Sequence, residues 1–354
     1  MPQKIFITGK NFDEKYNRTL ILIKGFQHLG YEVIIFNYKK STKEAAAKIR
    51  ELSNDSLFTF LPSFMHKSVK FVKKNSVSPV VFDPLISKYL TYVVDYKKFS
   101  KWSYGGIRTY LRDKIALKNS DFIIFDTHQH QSYFISKYKI DSHKTGVVYI
   151  GANNEDFFKT GNHQSSKFIV GFIGSFIPLQ GVMKIMKTIK LLASYSDIEF
   201  ELIGKGHDFP EAKNFAKQNN LTNVTFLETI GYTSLNEYIN KYSVCLGIFG
   251  DSLKTQIVIP NKIFNYSSCA RAIITLDTPA IRECFTNQKD IYLVNGTAES
   301  IADAVLALKA DPALKTKIET NVHDLALQKF NEINTAESFL NQFFEFAKQD
   351  RKFN

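Results

Sequence analysis

Twice along this chain, runs of four to seven apolar residues alternate with helix-length amphipathic stretches, and that alternation constrains the fold more than any other feature. Short continuous apolar runs suit strands buried on both faces, and the stretches between them suit helical crossovers joining parallel neighbours. In the first half the runs are KIFIT (4–8), EVIIF (32–36), SLFTF (56–60), PVVF (79–82), DFIIF (121–125) and GVVYI (146–150). Helices are predicted between them, for example over Tyr16–Leu29 and Tyr104–Lys118. A polar, linker-like segment, KTGNHQSSK (159–167), precedes a restart: FIVGFIG (168–174), IEFELIG (198–204), NVTFLE (223–228), VCLGIF (244–249), AIITLD (272–277) and IYLV (291–294). Ser234 and Glu237 have capping-box spacing and predict a helix start after Thr233. Beyond Ala298 the pattern is purely helical. The expected fold is α/β, with two Rossmann-like domains whose parallel sheets face one another across a cleft. The first covers 1–160 and the second 167–330, while a last helix in 331–354 packs back towards the first.

Charge is unevenly placed. Residues 1–160 hold 26 Lys and Arg against 14 Asp and Glu, and residues 161–354 hold 20 of each, so the net +12 belongs to the first half. Such a field attracts anionic surfaces or a phosphate-bearing substrate, although a solvated lysine-rich surface reads the same way. No apolar run approaches the roughly 20 residues of a membrane span, and the start, MPQKIFITGK, has no signal-peptide character. Cys245, Cys269 and Cys284, none in a C-x-x-C pair, suggest reduced thiols in a cytoplasmic protein.

Three loops of the second half follow strands and enter helices, where unpaired N–H groups favour anions. In GSFIPLQGV (174–182), Gly174 and Gly181 permit close backbone approach. GKGHD (204–208) is a glycine turn bearing Lys205. In VIPNKIFNYSSCARAII (258–274), Pro260 suits a first helical turn, and Lys262 and Asn265, three apart, share a helix face. Each loop alone serves equally well as an ordinary turn of a doubly wound sheet; three at successive strand ends point to a phosphate- and sugar-binding rim.

These same residues carry a resemblance to the GT-B glycosyltransferases, in particular the large retaining family numbered four. FIGSFIPLQGV resembles its first phosphate loop, IEFELIGKGHDF its next strand and glycine turn, and NVTFLETIGYTSLNEYINKYSVCLGIF its nucleotide-base region. VIPNKIFNYSSCARAIITLDTPAIRE resembles the donor-contacting helix followed by D-x-P-x-x-R-E. In the first half Asn17-Arg18-Thr19, VFDPLIS (81–87), NSDFIIFDT (119–127) and VVYIGANNEDFF (147–158) resemble bacterial polysaccharide-building members, and the I-P-N-K run resembles a subgroup of its own. Two glutamates usual in the family are replaced by Ile257 and Asn265, and a basic pair of the first loop by Ser175 and Gln180. The resemblance therefore implies a rebuilt site, in which Asn265 keeps the hydrogen bonds to donor hydroxyls and Lys205, Lys254 and Lys262 meet the diphosphate.

The resemblance further implies sugar transfer from a nucleotide-diphospho-sugar, with retention and without a metal or other cofactor, to a glycan or lipid-linked acceptor. Gly174, Ser175, Gln180, Gly181, Gly204, Lys254, Ile259, Pro260 and Asn265 are expected on the donor. Lys205 and Lys262 are expected beside the leaving diphosphate, with Asp83 near the reacting carbon. Asp83 serves equally well as the cap of a turn before Pro84. Gly9 and Arg18 are expected on the acceptor, Arg18 being equally a plain surface arginine. His128 and His130, two apart on a predicted helix, diverge too far to share a metal ion. The run FLPSFMHKSVKFVKK (60–74) mixes aromatic residues with lysines, and is either a surface for anionic membranes or an ordinary amphipathic helix. No nucleic-acid module is present.

Overall fold

The computed structural model describes residues 2–161, 165–228 and 230–349. It has two compact units, one of residues 1–151 with 331–354 and one of residues 152–330. The strands of the first unit are β1 (Lys4–Lys10), β2 (Glu32–Tyr38), β3 (Ser56–Leu61), β4 (Val80–Phe82), β5 (Phe122–Phe125) and β6 (Thr145–Val147). They form one sheet in the order β2-β1-β3-β4-β5-β6, parallel throughout. The second unit contains β7 (Phe168–Ile173), β8 (Ile198–Ile203), β9 (Val224–Leu227), β10 (Val244–Leu246), β11 (Ala272–Leu276) and β12 (Tyr292–Val294). Their order is β12-β11-β10-β7-β8-β9, again parallel. The chain direction across the sheet reverses between β1 and β3 in the first unit and between β7 and β10 in the second. Loops diverge at such switch points and leave a crevice beyond the strand ends.

The division falls at Gly151–Ala152, ahead of the polar run at 159–167, of which residues 162–164 lie outside the described residues. Ala152–Thr160 attach to the second unit. Ala152 N donates to Phe330 O, Phe158 N to Asn236 Oδ1 and Thr160 N to Asn240 Oδ1. The helix Glu332–Gln349 packs on the helix Asn17–His28 of the first unit. There Phe339, Phe343 and Phe346 meet Phe26, Phe58, Phe60 and Phe122, with ring centroids 4.7–6.3 Å apart.

Three local expectations need correcting. The 60–74 run is not one helix, because Phe60 and Leu61 finish β3, Phe64 has a positive φ, and helix begins only at Val69. Pro62 lacks the N–H a continuing ladder needs, and Val69 and Val72 anchor the short helix among Ile49, Val80 and Phe82. Gly9, expected on the acceptor, lies buried within β1, and a Cβ there would stand 2.7 Å from Met65 Sδ. The Ser234 side chain makes no cap hydrogen bond, and a short 3₁₀ turn over Tyr232–Ser234 leads into the helix Leu235–Lys241 instead. Pro260 is the capping residue ahead of the helix Asn261–Ser268, one place before its first turn. Among the described residues no helix is long and apolar enough to cross a membrane.

Candidate functional site

The switch point of the second sheet is built by turns that lock into one another. β7 runs into Gly174–Gly181, β8 into Gly204–Asp208 and β10 into Gly247–Asp251. Asp208 N donates to Phe176 O (2.8 Å), Phe249 N to Gln180 O (3.1 Å) and Gly250 N to Leu179 O (3.1 Å), so the β7 turn is tied to both others through backbone alone. Two glycines make that possible. Gly204, at φ 126°, lies where a Cβ would collide with Gly174 O. Gly181, at φ 64°, caps the helix Val182–Leu191, and a Cβ there would stand 2.5 Å from the carbonyl carbon of Phe249. Both are backbone shapes that side chains resist. The helix N-terminus therefore opens at the reversal in strand order, where amides favour an anion.

Polar groups converge on the same point. Gln180 is buried against Gly174, and its Oε1 has no hydrogen-bond partner. The Phe172 ring edge also lies against Gly174. The Lys262 ammonium sits over that ring, 3.7 Å from its centroid, and reaches Gly247 O only at 3.4 Å. Burial pushes the Lys262 pKa well below the ordinary lysine value, with the neighbouring Cys245 opposing the shift. Such an amine sheds its proton easily unless an anion arrives. Asn265, one turn further along the helix, keeps a buried Oδ1 without a partner. Unsatisfied buried acceptors are uncommon, and these two amide oxygens can accept from ligand hydroxyls.

The other expected donor residues are placed less uniformly. Ser175 and Lys205 are exposed in adjoining turns. Lys254 is buried in the short helix Leu253–Ile257, and Ile257 is buried beside it. Ile259 is also buried. Sequence reasoning missed Lys184 here: in the first turn of the helix after Gly181, it pairs with Asp251 of the β10 turn at 2.5 Å. In D-x-P-x-x-R-E, Asp277 and Arg282 clasp each other through two hydrogen bonds, which closes the turn after β11.

In the first unit Arg18 and Asp83 form a fully buried ion pair, which corrects the reading of Arg18 as a surface residue. Arg18 Nη1 also donates to Val148 O, and Asp83 Oδ1 accepts from Leu85 N across Pro84, the turn-capping geometry. Burial raises the Asp83 pKa against the opposing pull of Arg18. At the β1–β3 switch point lies a hollow of about 360 Å³, lined by Lys10, Asn11, Phe64, His66, Lys88 and Arg112 among others. Sequence reasoning missed these cations, although Lys10 stands where β1 ends. His130 is buried against Asp126 while His128 is exposed.

Comparison with known proteins bears on this geometry. Residues 167–311 match the family model "Glycosyl transferases group 1". Sucrose-phosphate synthase from Thermosynechococcus elongatus aligns over 98% of this chain and 100% of its own, at 14% identity and a TM-score of 0.77. HepE of Anabaena, solved with UDP and glucose, aligns over 97% and 99%, at 13% identity and a TM-score of 0.73. A glycosyltransferase from Rickettsia africae aligns over 99% and 100%, at 11% identity and a TM-score of 0.68. Among curated proteins no sequence matches. At these identities the structures speak for the fold, and the family rests on the matched segment. Residues 167–311 of the second unit thus resemble the group 1 glycosyltransferases, and the chain as a whole has the fold of the GT-B structures with which it aligns.

Proposed function

We propose that this chain moves a sugar from a nucleotide-diphospho-sugar to a glycan or lipid-linked acceptor, with retention of configuration, in surface polysaccharide assembly on the cytoplasmic face of a membrane. The observation that carries the reading is the cluster at the β7–β10 switch point, where a helix N-terminus, Gln180 Oε1 and the Lys262 amine meet within interlocked turns. The UDP and UDP-glucose complexes of HepE support a donor of this kind. Helix amides, Lys205, Lys254 and Lys262 stabilise the charge that grows on the leaving diphosphate, so the reading assigns that work to protein groups rather than to a metal. Asn265 and Gln180 accept from donor hydroxyls. A diphosphate oxygen of the donor takes the proton from the acceptor hydroxyl. The basic hollow at the first switch point takes the acceptor's phosphate; Arg18 and Asp83, bound to each other, tie the first helix to the turn after β4.

A second reading, a nucleotide-binding scaffold without turnover, has one observation in its favour: the apolar, buried Ile257 and neutral Asn265 stand where the family carries carboxylates. A thermal-shift panel of UDP-, GDP-, ADP- and CMP-sugars, followed by transfer assays with the stabilising donor, separates the two. Stabilisation should reach about 2.7 kcal/mol at a hundredfold excess over Kd. Binding with transfer supports the enzyme, binding without hydrolysis or transfer to any acceptor supports the scaffold, and no stabilisation by any donor ends both.

A further inference from the structure

The helix Tyr104–Lys118 turns Gly106, Thr109, Asp113, Ala116 and Leu117 inward, yet a second apolar row lies on its other side. Tyr104, Ile107, Leu111 and Ile115 are 79%, 45%, 46% and 47% exposed. Their spacing puts all four within a sector of about 80° on the helix. Trp102, just before the helix, is 80% exposed. The row floors a groove of about 440 Å³ whose sides include Lys67, Lys70, Arg108 and Arg112. Between 97 and 118 the chain has seven Lys and Arg and a single acid, Asp113. That acid is buried and accepts hydrogen bonds from Ser87 Oγ, Lys88 N and Tyr89 N, so no negative group of this segment faces solvent. The groove also shares His66, Lys67 and Arg112 with the basic hollow at the first switch point.

We propose that this face docks on an anionic lipid bilayer. Trp102, Tyr104 and the Ile107–Leu111–Ile115 row enter the boundary between headgroups and acyl chains, and the flanking cations meet lipid phosphates. Charge selects this occupant. A second copy of the chain would press the same cations together, whereas an anionic bilayer satisfies both the charge and the apolar row. Docking in this way brings the lipid surface to the rim of the basic hollow. The membrane function expected of residues 60–74 thus moves to 102–115, with Lys67 and Lys70 at its edge.

The chain has one tryptophan, so Trp102 reports on its own surroundings. Full-length protein mixed with phosphatidylcholine vesicles containing phosphatidylglycerol should float with them and shift its emission to the blue. Pure phosphatidylcholine, or high salt with the anionic vesicles, should weaken both signals by about tenfold or more. Leu111→Ser with Ile115→Ser should remove flotation while far-UV circular dichroism and Tm hold, because both side chains lie half exposed on the outer side of the helix. Lys70→Glu with Arg108→Glu should abolish the preference for anionic lipid. The proposal fails if wild type ignores anionic vesicles at low salt, if it binds both vesicle types equally, or if the double serine variant floats unchanged. A blue shift that follows protein concentration without lipid would name a second copy as the occupant and overturn it too. No nucleotide sugar enters the assay, so its outcome is independent of the transferase reading.

Discussion

At Lys262, burial works against the very charge that a diphosphate ligand needs. The unfolded chain takes up this proton at the ordinary value of 10.5, and the folded protein only at lower pH. Between those limits the unfolded state binds more protons, so this residue makes stability rise with pH. Lys262→Met should therefore raise Tm at neutral pH, by about 2–4 °C per kcal/mol gained, and the gain should vanish as pH approaches the ordinary lysine value. The same variant should weaken nucleotide-diphosphate binding far more than nucleoside binding. Calorimetric scans and titrations across pH check both; a gain in Tm that ignores pH would mean packing and not charge. The Arg18–Asp83 pair makes a second case at this scale. Asp83→Asn strands a buried guanidinium and should cost about 3–5 kcal/mol in denaturant titrations, whereas Arg18→Met with Asp83→Leu should recover most of that loss.

Among the elements, the interlocked turns after β7, β8 and β10 depend on glycine backbone. Gly204→Ala should add about 1–3 kcal/mol of strain and reduce nucleotide affinity more than tenfold. Gly231→Ala, at a position with open space around it, should leave affinity unchanged, and titration of both variants against one nucleotide checks the contrast. The twelve strands were legible because each is a compact apolar run, and the helix Tyr104–Lys118 appears with the bounds expected. The rest was not legible for physical reasons. Nothing in the spacing of Lys262 distinguishes an ammonium over an aromatic ring from one in water. The Phe60, Phe64 and Phe71 spacing mimics a helical face although Pro62 and a left-handed Phe64 break it. In the helix Tyr104–Lys118 both faces carry small or apolar residues, so the pattern alone does not say which one is buried. Arg18 and Asp83 find each other across 65 residues of sequence, a distance no local pattern spans.

For the whole molecule, the decisive feature is that the chain leaves its first unit at Gly151 and returns at Asn331. The returning helix supplies Phe339 at the centre of an aromatic cluster with Phe26, Phe58 and Phe60. Phe339→Ala should cost about 3–5 kcal/mol, read from denaturant midpoints. A chain ending at Phe330 should bind a hydrophobic dye through the uncovered Phe58 and Phe122 while nucleotide binding by Ala152–Phe330 survives; loss of both together would mean that the second unit also needs the final helix.

The same return path sets an order of events on the ribosome. The six strands of the first sheet emerge early, but their aromatic face waits for the helix Glu332–Gln349. At about 5–20 residues per second, that wait lasts roughly ten to forty seconds. The continuous second unit can close during the interval, so the unit begun second is the one that finishes first.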